Sequence, residues 1–108
     1  MIEYINEKQI AIEGDLSRRR LKELKEWLPA ELMDSEVLRI NIARVTVLDL
    51  STLQWIYAFG CAASSEGKEV IIKINLPNEL EELVRISGIR KMFNRFEERK
   101  KQMGKQSK

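Results

Sequence analysis

Val70-Ile71-Ile72-Lys73-Ile74 is the stretch on which the fold turns. Four of its residues are apolar and β-branched, and Lys73 alone interrupts them. A near-continuous apolar run of this length suits a strand covered on both faces, so a buried central strand is expected. Glu66-Gly67-Lys68 breaks the element before it. That element is read as a helix, because Leu53, Ile56, Tyr57, Gly60, Cys61 and Ser64 fall on one face. The small residues in its second half allow a close approach to a sheet. After the strand, Pro77 and Asn78 open another helix, and Asn78 with Glu81 resembles a capping box. Leu80, Leu83, Val84 and Ser87 share its face, and Gly88 is placed as a left-handed C-terminal cap. Ile89, Met92, Phe93 and Phe96 form the apolar face of a short last helix.

The pattern extends toward the N-terminus. Residues 37–43 alternate, with Val37, Arg39, Asn41 and Ala43 on one side and Leu38, Ile40 and Ile42 on the other. Arg44 to Leu48 continues that strand and ends at Asp49. Leu21, Leu24 and Leu28 recur at helical spacing, with Ser17 as the expected N-cap and Pro29 as the expected stop. Gln9 to Glu13 alternates as a strand that ends at Gly14-Asp15. Ile2 to Ile5 reads as a further short strand, joined through an Asn6-Glu7-Lys8 turn as a hairpin. The order β-β-α-β-α-β-α-α predicts an α/β fold: a four- to five-stranded mixed sheet with helices packed mainly on one face. Residues 1–97 are assigned to one domain and residues 98–108 to a basic, disordered tail.

Composition narrows the function. At 44% apolar and 33% charged, the 108 residues suit one globular domain. No apolar run approaches the roughly 20 residues that span a bilayer, and no secretory signal is read at the N-terminus. Cys61 is the only cysteine, which excludes an internal disulfide and agrees with a reducing compartment. The chain has no histidine. His-based triads, Cys-His pairs and histidine metal sites are thereby excluded. No glycine-rich phosphate loop occurs. The acidic pairs Glu81-Glu82 and Glu97-Glu98 read as solvated helix faces, and Trp27 and Trp55 as core or interface aromatics. A net charge of +2 does not demand nucleic acid, and no specific nucleic-acid partner is expected. The expectation is a non-enzymatic chain without metal or cofactor.

From Gln9 to Phe93 the chain resembles the STAS domain, the module shared by sulfate transporters and anti-sigma factor antagonists. Ile10-Ala11-Ile12-Glu13-Gly14-Asp15-Leu16 is similar to the family's strand and turn before the first helix. Val37-Leu38-Arg39-Ile40-Asn41-Ile42 matches the following strand. Val47-Leu48-Asp49-Leu50-Ser51-Thr52-Leu53 lies where the family carries an apolar pair followed by Asp-Ser-Ser-Gly-Leu. Gly67-Lys68-Glu69-Val70, and Val84-Arg85-Ile86-Ser87-Gly88-Ile89 before Phe93, are similar to its closing part. Asp49 keeps the family aspartate, Ser51 matches the serine phosphorylated in the antagonists, and Leu53 keeps the leucine. Leu50 replaces the first Ser. Thr52 replaces Gly, and a β-branched side chain is expected to protrude there.

The resemblance implies a cytoplasmic bacterial regulator of transcription. It would dock an anti-sigma factor that is also a Ser/Thr kinase through Asp49, Leu50, Ser51, Thr52 and Leu53, with Ser51 as the phosphorylation candidate. The kinase would bring the ATP chemistry. Ser51 with Gln54 forms a capping-box pattern at a helix start, with Asp49 as the alternative cap. Phosphate there would meet the positive helix end and add a charge of about −1.5 to −2. The alternative is a non-switching STAS adaptor subunit of a transport or signalling complex, which the altered motif favours.

Overall fold

The computed structural model describes residues 6–32 and 34–97. Three strands form one parallel sheet in the order β1-β2-β3, where β1 is Glu7–Leu16, β2 is Val37–Leu48 and β3 is Glu69–Ile74. Helices α1 (Arg18–Leu32) and α2 (Leu50–Ser65) are the crossovers, and α3 (Asn78–Ser87) and α4 (Ile89–Phe93) follow β3. A 3₁₀ turn over Asn94–Phe96 ends the described chain.

Alternation builds the core. Ile10, Ile40 and Ile72 pair in one row across the sheet, and Ile12, Ile42 and Ile74 in the next. Leu24, Leu28 and Leu32 of α1 and Leu53, Ile56 and Ala63 of α2 pack into the same buried cluster, so both crossover helices cover one face. Gln9, Ala11 and Asn41 stand exposed on the other face. Gly60 brings α2 down onto the sheet. A methyl group there would lie 3.0 Å from Phe96 Cζ and 3.3 Å from Ile72 Cδ1. Gly88, at φ +87°, makes the left-handed link between α3 and α4.

Several expectations change. Among the described residues the sheet has three parallel strands, not four to five mixed ones. The expected Ile2–Ile5 strand and the tail lie outside the described residues. Glu7 and Lys8 belong to β1 rather than to a turn, because both pair with β2. Among the described residues β3 is an edge strand, and β2 is central. The runs 37–43 and 44–48 form one strand, as expected, and it bends where the register skips Arg44 and Thr46. Gly14, at φ +85°, and Arg44, at φ +53°, accommodate that irregularity. Pro29 lies inside α1 rather than ending it. It stands on the exposed side, where the carbonyl it leaves unbonded meets water, while buried Leu28 and Leu32 hold the helix on the core. Asn78 is the first residue of α3, and Pro77 caps it with no side-chain bond, so the capping box does not form. Glu81 instead binds Arg90, whose guanidinium also donates to the Ile74 carbonyl at 3.2 Å and ties α3, α4 and β3 together.

Candidate partner-docking site

Strands β1 and β2 both leave the sheet through Asp-Leu-Ser. In the first turn, Asp15 Oδ1 accepts the Ser17 N–H at 2.8 Å. In the second, Asp49 Oδ1 accepts the Ser51 N–H at 2.9 Å. The Asp49 carboxylate fills a donor left bare where α2 begins, and the Asp15 carboxylate holds the N–H of the residue just before α1. The first turn differs from the expected cap. Among the described residues Ser17 Oγ is buried without a partner, and it is the Ser17 carbonyl that serves α1, accepting from Arg20 and Leu21.

The second turn is the sequence-predicted site. Asp49, at φ −110° and ψ 125°, is the N-cap of α2; Ser51 lies inside the helix and does not cap it. The Asp49 N–H donates to the Leu16 carbonyl at 3.0 Å, which fixes the residue as the last extended one. The Ser51 hydroxyl donates to the same Asp49 Oδ1 at 2.6 Å. That hydroxyl first, and the Ser51 N–H second, hold the Asp49 carboxyl below its ordinary value of 3.8. Arg18, from the neighbouring turn, stands 3.7 Å from Asp49 Oδ2.

The five candidate residues divide by burial. Asp49, Leu50 and Ser51 are half-buried and reach the surface, and Val47 beside them is 51% exposed. Thr52 and Leu53 are fully buried. Thr52 does not protrude. Its Oγ1 turns inward and donates to the Ser17 carbonyl at 3.2 Å, joining the second turn to the first. The accessible hydroxyl of the motif is therefore that of Ser51.

Sequence reasoning missed Arg18 and the contact of the first turn with the second. The repeated Asp15-Leu16-Ser17 and Asp49-Leu50-Ser51 was the available signal, since equal tripeptides at the ends of neighbouring parallel strands bring equivalent turns together. A shallow concavity of about 510 Å³ lies on the open sheet face, lined by Gln9, Arg39, Asn41 and Lys73 among others, and does not include the Asp49 turn. Among the described residues no cluster of His, Cys, Asp or Glu is arranged to hold a metal ion, and no helix is long and apolar enough to cross a membrane.

The family model described as "Mlab, STAS domain" matches residues 5–94. No curated protein and no solved structure gives a significant match.

Proposed function

The chain belongs to the STAS domain family, and from that premise we propose that it is a regulatory protein-binding module, docking a partner through the start of α2. Asp49, Leu50 and Ser51 present side chains to that partner, while Thr52 and Leu53 hold the turn from beneath. The partner is an anti-sigma factor or Ser/Thr-kinase-like protein in the bacterial cytoplasm. Phosphorylation of Ser51 switches the contact, and the module itself catalyses nothing and needs no cofactor. The observation that carries this reading is the Ser51 hydroxyl: half-buried, at the surface, and bonded at 2.6 Å to the cap of the docking helix. A phosphoryl group there removes the hydroxyl donor and sets a dianion against Asp49.

The second reading is a non-switching STAS adaptor subunit of a transport or signalling complex. One observation favours it: the Ser51 hydroxyl is already engaged in supporting the cap, which gives the serine a purely structural use.

Paired substitutions separate the two. Ser51→Ala keeps the cap, since Asp49 still accepts the N–H of residue 51, and keeps partner binding. Ser51→Asp keeps the fold and weakens binding by about tenfold or more, through like charge in the contact. Equal binding of Ser51→Asp and parent to the isolated partner, with Ser51 unmodified by a cognate kinase in mass spectrometry, rejects the switch in favour of the adaptor.

A further inference from the structure

Charge is divided along the chain. Residues 85–108 carry nine of its 19 Lys and Arg and two of its 17 Asp and Glu, a net charge of +7. Residues 1–84 carry ten against 15, a net charge of −5. Such asymmetry points to a polyanionic surface as partner. Apolar exposure gathers at the same end. Five large apolar side chains are exposed among the described residues, and three of them lie on α3 and α4: Leu83, Ile86 and Met92. Ile86 is the most exposed of the five, at 72%. It stands two residues before the left-handed Gly88 turn, and Met92 stands four after it. Exposed Arg85, Lys91 and Arg95 flank them in the chain. We infer that the C-terminal half of α3, α4 and the basic residues that follow form a peripheral contact with a bilayer rich in anionic phospholipid.

Each half of that composition has a use at a lipid surface. Cations are drawn to acidic headgroups, and exposed aliphatic tips enter the boundary with the acyl chains. Two signals together anchor a chain where one alone is marginal. Nucleic acid fits less well. Single strands are held on aromatic platforms, and Phe93 and Phe96 are turned inward and buried. A duplex backbone offers Ile86 nothing apolar to meet. An acidic protein fits less well too, since lysine is depleted from protein interfaces and five of the nine cations are lysines. The carboxylates of α3 do not stand against the contact. Glu81 is paired with Arg90 and Glu82 with Arg85. Glu79 lies seven residues, about two turns, before Ile86. Asp49, Leu50 and Ser51 take no part, so the contact stands or falls apart from docking at α2.

Cosedimentation of the full chain with vesicles tests this. The parent is expected to bind vesicles of equal parts phosphatidylglycerol and phosphatidylcholine about tenfold or more tightly than vesicles of phosphatidylcholine alone. Raising salt from about 0.1 M to about 0.5 M is expected to release it. Lys100→Gln, Lys101→Gln and Lys105→Gln together are expected to weaken binding about tenfold or more. Ile86→Ser is expected to weaken it about fivefold or more, with an unchanged circular dichroism spectrum. Should Ile86→Ser fail to fold, a fluorescent probe decides. In a Cys61→Ser background, a nitrobenzoxadiazole label on Ile86→Cys is expected to shift to the blue with the anionic vesicles. The same label on Val47→Cys, at a side chain 51% exposed beside the Asp49 turn, is expected not to shift. Equal binding to both kinds of vesicle, or to neither, overturns the inference. So does tighter binding to single-stranded RNA or to random duplex DNA at the same salt, which assigns the basic end to nucleic acid. Anionic binding that Ile86→Ser leaves unchanged, with no shift from the label at residue 86, overturns it as well.

Discussion

Thr52 offers the sharpest test of how the docking turn is held. Its side chain is fully buried and its hydroxyl donates to the Ser17 carbonyl at 3.2 Å. Thr52→Val keeps the shape and removes that bond. The Ser17 carbonyl still accepts from the Arg20 and Leu21 N–H groups, so no acceptor is orphaned. The loss is then the net worth of one neutral hydrogen bond, about 1 kcal/mol or less. Thr52→Gly removes the same bond and also two buried carbons, worth roughly 1.6 kcal/mol at ~0.8 per carbon. Replacing Thr by Gly in a helix adds a few tenths more, about 0.3 kcal/mol. The total is about 3 kcal/mol. A domain of this size shifts by ~4–8 °C per kcal/mol, so the glycine variant should melt ~12–24 °C below the parent. The valine variant should melt no more than ~8 °C below it. Differential scanning calorimetry with urea titration measures both. A glycine variant as stable as the parent would refute the buried seat of Thr52, and equal losses in both variants would refute the division between bond and packing.

Arg90→Met should cost about 1.5–3 kcal/mol in urea titrations, because Glu81 and the Ile74 carbonyl lose one shared cationic donor. A change within ~0.5 kcal/mol would mean that the tie between α3, α4 and β3 contributes nothing. Gly60→Ala should not stabilise α2, since about 1 kcal/mol of helix propensity is set against roughly 1–3 kcal/mol for crowding Phe96 and Ile72; a raised melting temperature would show that the Phe96 ring yields freely. Asp15 and Asp49 both have carboxyls held below 3.8, each chiefly by its turn serine. On acidification the unfolded chain therefore protonates first, so this contribution is fully present above about pH 5 and is lost as pH falls through the folded-state values. Asp49→Asn should make the acid limb of urea midpoint against pH shallower, and an unchanged limb would remove Asp49 from the acid response.

The strands were legible where one face is buried. The alternation of Ile10 and Ile12, and of Leu38, Ile40 and Ile42, marks the residues that line the core. Alternation reports which face is covered, not which edges are hydrogen-bonded. For that reason Val70–Ile74 reads as central and yet lies at the edge of the sheet among the described residues: helices bury Val70 and Ile72, and Ile71, although it points to the other face, is only 6% exposed. The choice between Asp49 and Ser51 as cap was open for a similar reason. Both residue types accept from a helix N–H, and the decision falls to a tertiary bond, the one from the Asp49 N–H to Leu16. Pro29 misled because proline's cost is local, while the pull of Leu28 and Leu32 toward the core is not.

The two Asp-Leu-Ser turns form one object. The Asp49 N–H reaches the Leu16 carbonyl, the Thr52 hydroxyl reaches the Ser17 carbonyl, and Arg18 reaches back to the Asp49 carboxylate. The first joins backbone to backbone at buried Leu16, and the second joins a buried side chain to backbone. The third is a loose, exposed ion pair of long reach, which costs little to rearrange. A charge arriving at Ser51 therefore meets a rigid frame with one movable part. The buried contacts of Thr52 and Leu16 resist displacement of the helix start, while Arg18 is free to exchange Asp49 for a more highly charged neighbour. Any switching at this turn is then a redistribution of surface charge on a fixed backbone rather than an unfolding of α2. It should reach a partner through the Arg18–Asp49–Ser51 line and leave the core of the sheet unchanged.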